Sequence, residues 1–169
     1  MVQTTKMGRQ DSVASGADPG SNEFTGDLDR TPIYGEDSSR VTGYAIIDAI
    51  VSPALDGQRA SSGRSANVRA LIDTGATTSA VDKTVAADLG LPVIGHETGI
   101  GMEGREIRIP LYHARVELPD LRRSWDTAIL METGAGQGLH DVVLGNDVLQ
   151  SCVFILDGPA GKFILRCPG

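Results

Sequence analysis

A chain of 169 residues, 40% of them apolar and with a formal charge of −7, is read as one domain with a modest core and a tail. The acid excess, with no basic run, excludes nucleic acid as an expected partner, and no stretch approaches the roughly 18 apolar residues a membrane-crossing helix needs. The first charged residues are followed by no apolar leader, so a cytoplasmic protein is expected.

Taken in chain order, residues 1–40 come first. Only Met1, Val2, Met7, Val13, Ala14, Ala17, Phe24, Leu28, Ile33 and Tyr34 are apolar there, among Ser, Gly, Asp and Pro. Such a segment buries too little surface to offset its ordering entropy, and a disordered or loosely docked tail is expected. The domain proper is placed at 41–169. VTGYAIIDAIV (41–51) and ANVRALID (66–73) read as strands around a turn-rich loop. A helix is predicted over Ala80–Leu89, with Ser79 as cap, Asp82 at capping-box spacing, Val81, Val85 and Leu89 on one face, and Gly90 as the stop. LYHARVEL (111–118) and RRSWDTAILM (122–131) read as strands about a Pro119-Asp120 turn. ETGAGQGLH (132–140) reads as a flexible loop. DVVLGND (141–147) starts as a strand and breaks at Gly145, and VFILDGPAGKFILRC (153–167) reads as a hairpin. No internal repeat is present. The pattern is mainly β with one or two short helices, and a small barrel is the expected architecture.

GIGMEG (99–104) fits the glycine spacing of a dinucleotide loop, but the context does not. REIRIPLYHARVEL follows, where Ile107 and Ile109 alternate with Glu106 and Arg108 at a period of two. Pro110 would break any helix there. A phosphate loop needs that helix. The segment is predicted instead to be a bendable glycine-rich hairpin tip.

Cys152 and Cys167 lie in apolar strands, form no C-x-x-C pattern, and are expected to be reduced and buried. His96, His113 and His140 lack metal-ligand spacing and are expected in surface or turn positions. No metal and no cofactor is expected.

The stretch with chemical content is ALIDTGATTSAVD (70–82). An apolar strand, Ala70-Leu71-Ile72, delivers Asp73 into Thr74-Gly75-Ala76. A carboxylate at the end of a buried strand is costly unless donors satisfy it, and Gly75 lets backbone N–H groups approach it. A second signal is Val142-Val143-Leu144-Gly145, an apolar strand ending in glycine and followed by Asn146-Asp147-Val148-Leu149. The early D-T-G-A, the glycine-rich hairpin and the late apolar-apolar-Gly turn, in that order, resemble the retropepsin family of aspartic proteases over about residues 41–167.

That resemblance implies a small closed β-barrel of the retropepsin type, and an endopeptidase. Asp73, Thr74 and Gly75 would form the catalytic loop. Ala76, Thr77, Thr78, Gly99, Ile100, Gly101, Met102, Leu144 and Gly145 would meet a peptide or protein substrate. The hairpin 99–104 would close over that substrate, with Gly104 adding flexibility. Peptide hydrolysis needs one acid to deprotonate water and another to protonate the leaving nitrogen. With one D-T-G per chain, a homodimer that pairs two Asp73 carboxyls is implied. The C-terminal FILRC would interleave with the partner's strand. Viral members carry two acids after D-T-G-A and an arginine after the late glycine. Thr77, Thr78 and Asn146 stand there in this chain, which is closer to cellular or bacterial relatives. Two other readings stay open. One is a dimeric module of the same fold that binds peptides without cutting them. The other is an aspartyl-phosphate enzyme, which Ile72 and Thr74 disfavour because such sites place an acid or a lysine beside the nucleophile.

Overall fold

The computed structural model describes residues 22–30, 43–54, 63–100, 104–125, 129–133 and 139–168, with backbone alone for Ile100 and 129–133. The order of elements is β1 (Glu23–Asp27), β2 (Ile46–Pro53), β3 (Ala66–Ile72), β4 (Ala80–Asp82), α1 (Lys83–Leu89), β5 (Val93–Ile100), β6 (Glu106–Leu118), a 3-10 turn (Pro119–Leu121), β7 (Arg123–Trp125), β8 (Ile129–Thr133), β9 (Val142–Leu144), α2 (Asn146–Leu149), β10 (Val153–Asp157) and β11 (Lys162–Arg166). The chain is mainly β with short helices, as its period-two patterning predicts. Of the loop expected over 132–140, Glu132 and Thr133 belong instead to β8, and residues 134–138 lie outside the described residues.

The expectation of one small closed barrel is corrected. The strands divide into an eight-stranded sheet, β2-β3-β9-β4-β8-β6-β5 with β7 on β6, and a separate three-stranded sheet, β1-β11-β10. Neither is closed into a barrel. The larger sheet curls round the core, because Ile50–Pro53 at the end of β2 also pair with Ala114–Glu117 of β6. β3 runs parallel to β9, with Ala70 opposite Val142 and Ile72 opposite Leu144. That parallel pair brings two distant loops to the same end of the sheet.

Alternation along β3 buries Val68, Ala70 and Ile72, and these join Ile47, Val51, Val81, Val116, Leu118, Leu144 and Val148 in one core cluster. Within the smaller sheet, Phe24 of β1 and Phe163 of β11 pack with ring centroids 5.8 Å apart. This differs from the tail expected over residues 1–40. Residues 22–30 are built into the fold, with β1 antiparallel to β11 and Asp29 ion-paired to Arg69. The composition of the whole forty residues hid one apolar anchor, Phe24. The rest of that segment lies outside the described residues, apart from Asn22–Arg30.

β11 has both of its edges occupied within the chain, by β1 and by β10. Inward-facing residues alternate in register across this sheet: Phe24 and Phe154 flank Leu165, while Gly26 and Leu156 flank Phe163. Phe163 and Leu165 are fully buried, yet Leu156 is 58% exposed and outward-facing Ile155 is 49% exposed. The core stops one strand short at β10. β1 carries Glu23 and Asp27, charges of the kind that blunt sheet edges, whereas β10 is apolar until Asp157.

Cys152 and Cys167 are joined in a disulfide, not reduced as expected. The β10–β11 register sets Val153 opposite Arg166, so these two are the next cross-strand pair, with Cα atoms 4.1 Å apart. The expectation of free thiols rested on compartment and could not see this register.

The first helix also starts later than predicted. Ala80–Asp82 extends as β4, pairing with β9 and β8, and α1 begins at Lys83. Asp82 is the N-cap, accepting from the Thr84 N–H at 2.7 Å. Gly90 ends the helix as predicted, in the left-handed region at φ 63°. The hydrogen bonding with Thr84 is the main cause that holds the Asp82 carboxyl below its ordinary range, against a smaller opposing effect of burial. Because the folded-state value is lowered, the cap's contribution is present above the unfolded carboxylate range and is lost as pH falls through the folded value. Asp82→Ala is expected to destabilise the fold by about 1 kcal/mol at neutral pH. Urea unfolding of both proteins at neutral and at acid pH should show that difference shrinking at acid pH.

Candidate active site

Ile72 is buried at the end of β3, and the chain then emerges as Asp73-Thr74-Gly75, with Thr74 and Gly75 exposed. The Asp73 N–H donates to the Leu144 carbonyl at 3.1 Å, which continues the β3–β9 ladder by one bond. The Gly75 N–H donates to Asp73 Oδ1 at 2.8 Å, as the sequence predicts for a glycine at that place. The Ala76 N–H donates to the Asp73 carbonyl at 3.2 Å and closes the turn. A Cβ on Gly75 would lie 3.1 Å from Asp73 Oδ1, so a larger residue would crowd the carboxylate it serves.

The second glycine turn zips onto this loop. The Asn146 N–H donates to the Ala76 carbonyl at 2.8 Å and the Asp147 N–H to the Thr77 carbonyl at 3.3 Å. The Asn146 side-chain amide reaches the Thr74 carbonyl at 3.1 Å. Sequence reading placed Ser79 at a helix cap, and this is corrected. Ser79 is fully buried, and its hydroxyl accepts from the Gly145 N–H at 3.0 Å while donating to Asp147 Oδ1 at 2.7 Å. The Ser79 N–H also donates to Asp147 Oδ1, at 2.8 Å. Asp147 Oδ2 is buried with no hydrogen-bond partner among the described residues. Neither Ser79 nor Asp147 was among the predicted site residues. The signal available was their position: a polar residue just after each of the two glycine loops.

Leu144 and Gly145, expected to meet substrate, are both buried in this structure. Leu144 is a fully buried core residue that offers the site only its carbonyl. Gly145 is closed in. A Cβ there would sit 2.7 Å from the Thr78 carbonyl carbon and 2.9 Å from the Ser79 nitrogen. Glycine is required because two backbones touch. Thr77 is exposed, and Ala76 and Thr78 are half-buried on the same loop.

β5 and β6 form the predicted hairpin, with Gly99 opposite Ile107 and Ile100 opposite Glu106. A Cβ on Gly99 would meet the Ile109 Cδ1 at 2.6 Å, so its role includes making room for that side chain. Gly104 adopts φ 71°, a turn conformation that favours glycine. Gly101 and Met102 lie outside the described residues.

His140 precedes β9 and is half-buried, not at the surface. Burial is the main cause holding its ring below the ordinary histidine range. Arg69 adds to this, while Asp141 and, more weakly, Asp73 oppose it, so the ring is uncharged at neutral pH. Among the described residues no cluster of three or more His, Cys, Asp or Glu could hold a metal, and no helix is long and apolar enough to cross a membrane.

A family model described as aspartyl protease matches residues 60–148, which span β3, the Asp73 loop, the hairpin and the second glycine turn. The chain belongs to the aspartyl protease family. Its fold is that of a retropepsin. A crystal structure of a retropepsin-like aspartic protease from Rickettsia conorii aligns with a TM-score of 0.52 at 16% identity, covering 85% of this chain and 89% of that one. The retroviral protease-like domain of Ddi1 from Leishmania major aligns with a TM-score of 0.39 at 18% identity, covering 66% of this chain and 81% of that one. Comparison with curated proteins returns no match.

Replacing Gly145 with alanine forces the Thr78–Ser79 backbone aside. Gly145→Ala is expected to cost about 1–3 kcal/mol, the range for overpacking a close contact. The urea midpoint of the purified variant checks it.

Proposed function

We propose that this protein is an aspartic endopeptidase that works as a homodimer, with Asp73 and the partner's Asp73 forming one catalytic pair. The observation that carries this reading is the Asp73 loop itself. One carboxylate leaves a buried strand at a half-buried position, with Oδ1 held by the Gly75 N–H and the loop fixed by a second glycine turn. That arrangement aims an acid, and amide hydrolysis requires a second one. A two-fold axis beside Asp73 would supply one.

Two carboxyls brought that close share a proton, and aspartic proteases are the standard worked case of such a pair. The ionised member takes a proton from a water held between them. The resulting hydroxide equivalent attacks the scissile carbonyl carbon, and the protonated member supports the carbonyl oxygen. Proton transfer to the amide nitrogen then lets the C–N bond break, giving a carboxylic acid and an amine. Thr74 would help lock the two loops together. Ala76, Thr77 and Thr78 would run beside the bound peptide, and the Gly99–Met102 hairpin would fold over it and exclude water.

For the dimer edge, we infer β10 in place of the expected FILRC strand. Both edges of β11 are already paired, whereas β10 carries Val153, Ile155 and Leu156 exposed. Antiparallel pairing of two copies of β10 about Ile155 would set Phe154 against Leu156 and extend the core over the uncovered strand.

Two measurements test the reading. Wild-type protein should cleave a peptide pool, and Asp73→Asn should leave the pool intact. Equal turnover by both, or none by either, overturns the enzymatic reading, and binding without turnover would favour a peptide-holding module. Ile155→Lys is expected to sediment as a folded monomer with at least a tenfold loss of cleavage. An active monomer would overturn the dimeric site.

A further inference from the structure

The geometry points to Asp147 as a positioning residue for the Asp73 loop, acting through Ser79; its catalytic consequence rests on the endopeptidase reading. The connection runs through named atoms. Asp147 Oδ1 takes two hydrogen bonds from Ser79, one from the backbone N–H and one from the hydroxyl. The hydroxyl that donates to Asp147 is thereby oriented to accept from the Gly145 N–H. A serine hydroxyl rotates freely until something fixes its proton. Asp147 Oδ1, which accepts from that hydroxyl, fixes it. Without that acceptor the hydroxyl can turn its proton towards Gly145, and the buried Gly145 N–H loses its partner.

Gly145 is the point at which misplacement would be felt at Asp73. Its neighbour Leu144 receives the Asp73 N–H, and its other neighbour Asn146 holds Ala76 and Thr74. No side chain cushions the contact between Gly145 and Thr78–Ser79. A shift of the second turn is therefore passed to both ends of the Asp73-Thr74-Gly75-Ala76 loop.

The local chemistry marks this as more than a generic packing contact. Ser79 is the buried polar residue of the described core. Both of its bonds to Asp147 converge on Oδ1, while the buried Oδ2 is left without a partner among the described residues. Leaving a buried acceptor unpaired is costly. Local costs of this kind concentrate where a fold holds functional groups in place.

The test compares Asp147→Asn, Asp147→Ala and Ser79→Ala with wild type. Asparagine keeps an acceptor at Oδ1 and loses the charge, whereas both alanine variants remove the relay. On a cleaved peptide, with rates expressed per folded dimer, Asp147→Ala and Ser79→Ala should lower kcat about tenfold or more. KM should stay within about twofold, and Asp147→Asn should restore kcat to within about threefold of wild type. The double alanine variant should be no worse than either single one, because the two residues act as a unit. An independent readout needs no turnover. The amide resonances of Gly145 and Gly75 report, respectively, the Ser79 bond and the Asp73 Oδ1 bond. Both should move in Asp147→Ala and stay near their wild-type positions in Asp147→Asn. Unmoved amides in Asp147→Ala, wild-type kcat per folded dimer in that variant, or an asparagine variant as impaired as the alanine one would each overturn the assignment. If wild type cleaves nothing, the endopeptidase reading fails by itself, and the amide shifts still decide whether Asp147 sets the geometry of the loop.

Discussion

Two polar loops at the ends of two adjacent buried strands must satisfy one another, and most of this structure serves that constraint. β3 and β9 are parallel neighbours, so the chain leaves both at the same end of the sheet. At that end the backbone groups of 73–79 and 144–147 are partly withdrawn from water, where an unpaired donor or acceptor is costly. They are paired across the gap instead, residue by residue, from Asp73 with Leu144 to Thr77 with Asp147. The glycines follow from this. Gly75 lets a backbone N–H reach the carboxylate, and Gly145 lets two main chains touch. The geometry of the Asp73 loop is thus set by backbone hydrogen bonding as much as by side-chain choice.

The parts legible in the sequence were those set by short-range rules. Alternating apolar residues marked β3, Gly90 marked the end of α1, and D-T-G-A with its late glycine marked two loops that hydrogen-bond to each other. What was not legible depended on register and on distant pairing. Ser79 satisfies every local rule for a helix cap, yet Ala80–Asp82 pair with β9 and β8 and carry Ser79 into the interior. Tertiary pairing outbid a local preference there. Cys152 and Cys167 fall opposite each other only because the hairpin turns where it does. Leu144 adjoins a glycine turn yet is fully buried, because the face on which a strand's side chain lies is decided by the sheet around it. Phe24 was invisible for the opposite reason, as one aromatic anchor in a polar stretch.

The two sheets divide the work. The larger one carries the Asp73 loop and the β5–β6 hairpin. The smaller one ends on an apolar strand whose inner residue Leu156 lies in register with fully buried Phe163. In a self-contained monomer a strand like β10 would expose both its backbone edge and its side chains, a combination folded proteins avoid. If Asp73 acts in a catalytic pair as proposed, a single second copy would supply both the second acid and the cover that β10 lacks.

β1 has a practical consequence for anyone trimming this molecule. The match to the family begins at residue 60, and a shortened version starting near residue 41 would look like a complete unit. It would lack the segment that lies along β11, places Phe24 on Phe163 and gives Arg69 its Asp29 counter-ion. Such a truncate would bare an aromatic surface and a second sheet margin at once, and would invite clumping before any assay of its chemistry began.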